Sequence, residues 1–245
     1  MPLDTEAIGL TELAWTPCHR LIASRYPTVG LFDDIASPED LDAVFAIEAL
    51  TNPRVRQQLG ALSLMTIADR VSGPGASLIM AAFLHLNPTG SRFSDGSYGV
   101  YYAADSLHTA IAEVSHHRGI FLSRTAEPEI DVDLRWIKAD LCAAVHDIRS
   151  ATLAPSQMAE LAAVYDPDDY SAGQALGRQL RTGASNAITY DSVRAAGGQC
   201  IAVFLPRLLT HARPAGHLSL HWDGQRITHW YHKGAPHPVA QPRHR

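Results

Sequence analysis

The chain has 245 residues, a formal net charge of −5, and 46% hydrophobic against 18% charged residues. That balance suits a globular chain with a sizeable core, not a disordered one, and it offers no global basic field to attract nucleic acid. Three widely spaced cysteines, Cys18, Cys142 and Cys200, argue against both a disulfide framework and a CxxC metal knuckle.

The opening MPLDTEAIGLTELAW carries acidic residues and no basic region ahead of an apolar one, so no signal peptide is expected. The longest apolar run, LIMAAFLHL at 78–86, is far too short to span a bilayer. A reducing cytoplasm is the expected location.

In chain order, CHRLIASRYPTVGLF (18–32) reads as a short strand running into a loop at Pro27 and Gly30. SPEDLDAVFAIEAL (37–50) has a helix signature: Ser37 as cap, Pro38 at the first helical position, and Leu41, Val44 and Phe45 on one face. NPRVRQQLGAL (52–62) and ASLIMAAFLH (76–85) are predicted helices, and the glycine-rich SGPGAS (72–77) is read as a helix start, not a phosphate loop. GSYGVYYAA (96–104) predicts a turn and a strand. Ser106 then caps a helix whose Leu107, Ala110, Ile111 and Val114 fall at i, i+3, i+4 and i+7, with Glu113 bordering that stripe.

Residues 119–150 read as loop and strand pieces, including EIDVDLRWI. Helices are predicted over 156–165 and 168–183, then strands AITY (187–190) and CIAVFLP (200–206) joined by DSVRAAGGQ. HLSLHW, a DGQ turn and RITHWYH predict a β-hairpin. The proline-bearing tail, about 233–245, is expected to be mobile. Helices and strands mix without βαβ alternation, which predicts a single α+β domain with a helical insertion at about 33–88.

The common catalytic signatures GxxxxGK[ST], GxGxxG, GxSxG and HExxH are absent. Adjacent His116 and His117 read as a polar helix end, because neighbouring helix positions do not share a face. The stretch RFSDGSYGVYYAADSLHTAIAEV (92–114) is more informative. Arg92 is a salt-bridging or anchoring residue, or a planar clamp for an anion. Tyr102 is a cross-strand packing residue, or a phenol for a ring or a ribose oxygen. Glu113 is a solvated or paired carboxylate, or one that stabilises developing positive charge or binds sugar hydroxyls. Ser192, where the chain turns after a short strand, bonds its own backbone or points into the same cleft. No histidine lies near it in sequence, so a binding role is preferred to covalent catalysis.

An arginine, a glutamate and a serine in these contexts resemble the RES domain family. The similarity rests on SRFSDGSYGVYYAADSLHTAIAEV (91–114), DDYSAGQALG (168–177) and SNAITYDSVRAAGGQCIAVFLP (185–206), with an upstream match in CHRLIASRYP (18–27). The resemblance implies a compact α+β fold with an ADP-ribosyltransferase-like mixed sheet and surrounding helices. It also implies a toxin that consumes NAD as substrate, with phosphate as co-substrate. Protein ADP-ribosyl transfer and NAD hydrolysis remain alternatives, as does a non-catalytic nucleotide- or partner-binding module.

The implied partner is an Xre-type helix-turn-helix antitoxin, and a homo-oligomer within such a complex is compatible with it. Carried over residue by residue, Arg92, Tyr102, Glu113 and Ser192 are the site candidates. Arg20, with Arg92 and Tyr102, is a substrate contact. No metal is implied. Departures from the pattern are Phe93 and Ser94 after the arginine, Ala187 where glycine is common, and Asp191 where proline is common. Asp191 would place a carboxylate beside an anionic substrate.

Overall fold

The structure is a computed structural model that describes residues 5, 7–23, 32–33 and 65–234. The predicted helices over 37–50 and 52–62, and the tail from 235 onward, lie outside the described residues. In chain order the elements are β1 (Leu10–Ala23), α1 (Ala76–Leu84), β2 (Tyr101–Ala104), α2 (Leu107–Ser123), β3 (Ile130–Asp147), α3 (Pro155–Leu161), α4 (Ser171–Thr182), β4 (Ala187–Asp191), β5 (Gln199–Val203), β6 (Leu209–Trp222) and β7 (Ile227–His232). The fold is α+β, built on a mixed sheet.

The strand order is β1-β2-β5-β4-β3-β6-β7, with β1 also pairing β3. Strand β3 makes this possible. At about 3.3 Å per residue its 18 residues extend roughly 60 Å. One edge takes β6 over Ile130–Leu141 and then parallel β4 at His146 and Asp147, while β1 runs antiparallel along the other edge. The sheet therefore closes on itself through β1, β2, β5, β4 and β3.

Two faces result. Tyr101, Ala103, Ile201, Val203, Leu141 and Val145 pack with Leu78, Ile79 and Phe83 of α1. The other side of β2, β5 and β4 presents Ala104, Ala202, Cys200 and Ile188 to Leu176 and Leu180 of α4 and Ala110 of α2. Alongside, Ile111 of α2 covers Leu134, Leu218 and Leu220.

Several predicted elements appear close to their expected bounds, among them α1, α4, β4, β5 and β7, whereas β6 begins at Leu209, ahead of the predicted HLSLHW. The segment 119–150 departs from expectation: α2 continues to Ser123 and a single strand covers Ile130–Asp147. The buried β3 positions Ile137, Ala139, Leu141 and Val145 alternate, but Leu134 is out of phase with them, because a register shift between Trp136 and Ile137 where β3 pairs with β6 resets the period. Strand β1 begins at Leu10, ahead of the predicted start. A register shift between Trp15 and Cys18 breaks its period where it pairs with β3.

Candidate active site

The site is built around the start of α2. Ser106 caps the helix, its Oγ accepting the Thr109 N–H at 3.2 Å, as the sequence predicts. With Ala110 and Ile111 buried below, Glu113 emerges at the border of the apolar stripe. Its Oε1 accepts a hydrogen bond from Ser192 Oγ at 2.6 Å. The same Oγ accepts the backbone N–H groups of Arg194 (3.1 Å) and Ala195 (2.9 Å). Both acceptor positions of the hydroxyl are thereby filled, so its proton points at the carboxylate. Ser192 thus bonds its own turn and holds Glu113 at once. The buried Cys200 Sγ lies 3.8 Å from Glu113 Oε1, and burial, then Glu113, push its thiol pKa up.

Arg92 is 7% exposed. Its Nη1 donates to the carbonyls of Val164 (2.7 Å) and Asp166 (2.9 Å), and its guanidinium lies over the Tyr170 ring, 4.6 Å from the centroid. Helix α4 packs directly on this segment because Gly173 and Gly177 have no side chain. A Cβ at either would strike the carbonyl of Arg92 or Phe93. Tyr102 braces the same loop: its hydroxyl accepts the Phe93 N–H at 2.9 Å and shares a hydrogen bond with Ser91 Oγ at 2.8 Å. Burial raises its pKa. Tyr190 joins the two halves. Its ring meets Phe93 edge-on at 5.0 Å, and burial, followed by the neighbouring Cys200, Glu113 and Tyr102, raises its pKa.

Arg20 is placed differently. Its Nη1 donates to the Tyr102 carbonyl at 2.8 Å and its guanidinium stacks over Tyr101 at 4.6 Å. Successive strand residues face opposite ways, and Tyr101 belongs to the α1 side while Tyr102 packs on the α4 side. Arg20 therefore touches Tyr102 at its backbone carbonyl and lies with its guanidinium on the Tyr101 side of β2. Asp191 directs its carboxylate to the Ser150 N–H at 2.7 Å, and Ala187 is fully buried in β4 opposite Val203.

Four further side chains adjoin these residues: His116, His117, Tyr170 and Arg194. A sequence signal existed for the histidines. They are adjacent to each other, but each lies three or four residues from Glu113 and so shares its face. The His117 and Tyr170 rings are 6.5 Å apart. Burial, then the charge of Arg194, lowers the pKa of both histidines, with Arg92 and Arg118 also acting on His117. The arrangement offers an oriented carboxylate, a hydroxyl fixed on it, and a cationic border.

A model of the RES domain matches residues 67–223. The chain belongs to the RES domain family. The matched segment holds Arg92, Tyr102, Glu113 and Ser192, while β1 with Arg20 precedes it. The chain is also 32% identical, over 215 residues, to the uncharacterized protein y4oC of Sinorhizobium fredii (strain NBRC 101917 / NGR234), covering 87% of this chain and 86% of that protein. A solved structure it resembles is the M. tuberculosis MbcT–MbcA toxin–antitoxin complex, at 13% identity and a TM-score of 0.46, covering 86% of this chain and 88% of that one. No helix among the described residues is long and apolar enough to cross a membrane.

Proposed function

We propose that this RES domain chain is the toxin of a toxin–antitoxin pair and cleaves the nicotinamide–ribose bond of NAD with phosphate as acceptor. The observation that carries the reading is the part-buried Glu113 carboxylate held by Ser192 Oγ at 2.6 Å. Cleavage builds oxocarbenium character on the ribose, and a preorganised carboxylate stabilises that charge without becoming a covalent nucleophile. Nicotinamide leaves as a neutral base with the electron pair of the broken C–N bond. A phosphate oxygen then forms the new C–O bond, which yields ADP-ribose 1''-phosphate.

In this scheme Glu113 acts on the ribose, Ser192 orients Glu113, and Tyr102 and Arg92 hold the loop that walls the cleft. The scheme asks for no metal. The proposed partner is an Xre-type helix-turn-helix antitoxin that covers the cleft, and any contact with DNA runs through that partner, in keeping with the net charge of −5.

Incubation of the purified, antitoxin-free protein with NAD, with and without phosphate, tests the reading. Nicotinamide release that requires phosphate is the expected result. Release without phosphate would assign hydrolysis, and release only with an added target protein would assign ADP-ribosyl transfer. Absence of release in every arm overturns an NAD-consuming role. Glu113→Gln is expected to abolish both release and growth inhibition while the fold persists; retained growth inhibition would favour a non-catalytic binding module.

A further inference from the structure

Beside Glu113 stands a group of basic side chains that the scheme above does not use. His116 and His117 follow Glu113 on α2 by three and four residues and share its face. Arg194 comes from the turn after β4, two residues beyond Ser192. The Ser192 Oγ accepts the Arg194 N–H at 3.1 Å while donating to Glu113 at 2.6 Å. One hydroxyl thus fixes the carboxylate and the turn that carries the guanidinium together. The Arg194 side chain is held by a hydrogen bond from Nη2 to the Pro167 carbonyl. The imidazoles of His116 and His117 stand 5.4 Å apart at 70°.

The environment of these groups is strained in charge. Arg194 acts on both imidazoles; Arg92 and Arg118 add to it at His117, while Glu113 and Asp168 oppose it at His116. The His116 Nε2 atom is buried and has no hydrogen-bond partner among the described residues. Leaving a buried polar atom unpaired is costly, as is protonating either imidazole beside Arg194. An oxyanion relieves both, because it accepts N–H donors and compensates the cationic border.

We infer that His116, His117 and Arg194 form a binding site for a phosphate oxyanion on the Glu113 side of the cleft. Its occupant is either free phosphate or the pyrophosphate of the dinucleotide. The inference rests on the NAD reading only for the choice between those two sources. It also supplies a cationic clamp in a site where Arg92 is engaged with Val164, Asp166 and Tyr170.

The test is a titration of the full chain with inorganic phosphate, followed by NMR of the histidine ring nitrogens. The His116 and His117 resonances are expected to move toward the protonated form in the native protein and to stay in place in Arg194→Gln. His117→Gln provides a second variant. For either variant a rise of roughly tenfold in one Michaelis constant is expected, equivalent to about 1.4 kcal/mol. A rise in the phosphate KM alone identifies the acceptor as occupant, and a rise in the NAD KM alone identifies the pyrophosphate. Histidine resonances indifferent to phosphate, with both KM values unchanged in both variants, overturn the site. The titration reads anion binding whether or not NAD is cleaved. A chain that binds phosphate here but leaves NAD intact would refute the proposed reaction and keep the site.

Discussion

Arg92 distinguishes an anchor from an anion clamp, and Arg92→Met separates the two. Methionine keeps much of the stem and removes the guanidinium. Two hydrogen bonds are lost, to Val164 at 2.7 Å and to Asp166 at 2.9 Å. Val164 is 1% exposed, so its carbonyl loses this donor in a dry setting, at about 1–3 kcal/mol. Asp166 is exposed, and its carbonyl passes to water at little cost. The cation–π contact over Tyr170 at 4.6 Å contributes about 0.5–2 kcal/mol. The sum is about 1.5–5 kcal/mol, which for a chain of this size lowers Tm by on the order of 3–20 °C. Urea unfolding followed by far-UV circular dichroism measures it as a shifted midpoint with an unchanged slope. A native-like midpoint in Arg92→Met, combined with loss of NAD binding, would show that the guanidinium serves a ligand and that its contacts to the backbone are incidental.

Glycine replacements on two helices should act in opposite directions. Gly177→Ala places a Cβ 2.8 Å from the Phe93 carbonyl carbon and should destabilise by about 1–3 kcal/mol; Gly119→Ala meets nothing within 4 Å and should stabilise α2 by about 0.5–1 kcal/mol. Equal urea midpoints for the two would contradict the packing of α4 on Arg92 and Phe93. Cys142 is exposed, whereas Cys18 and Cys200 are buried, and burial pushes the Cys18 thiol up to about 11. A thiol reagent should therefore modify Cys142 quickly in the native protein and all three cysteines in denaturant; rapid native labelling of Cys200 would refute its seat under Glu113.

The pH dependence of stability follows from four histidines. His19, His116, His117 and His146 all have folded-state pKa values below the ordinary 6.5, with burial the first cause in each. Above that value both states are neutral at these positions. As pH falls through it the unfolded chain binds protons first, so stability declines on acidification. Trp136 reinforces this at His19, since its Nε1–H donates to the His19 Nδ1 lone pair at 3.1 Å. Urea midpoints compared at about pH 7.5 and about pH 5.5 should show the lower stability at the acidic value; an equal or higher acidic midpoint would contradict it.

Helix α2 was legible because its signals are local: a serine cap and an apolar stripe at i, i+3, i+4 and i+7, with Glu113 on the border. The short buried strands β4 and β5 were legible from their apolar runs and the turn between them. Strand β3 was not, because its burial changes faces along its length, and β1 was obscured by the register shift near Pro17. The imidazole pair was not legible as part of the site because adjacent helix positions do not share a face with each other, although each ring shares one with Glu113.

What the sequence determined alone is the set of local elements, the family, and the candidates Arg92, Tyr102, Glu113 and Ser192. Periodicity specifies which face a side chain occupies, and no more than that. Its partner is decided by which other segment the fold brings to that face. Ser192 reaches Glu113 across 79 residues, and Arg92 reaches Val164 and Asp166 across 72 and 74. Those encounters depend on the closure of the sheet through β1 and β3 and on the glycine-lined approach of α4. Only the tertiary structure therefore tied Arg92 to the carbonyls of Val164 and Asp166, put Arg20 on the Tyr101 side of β2, and joined Glu113 to Ser192.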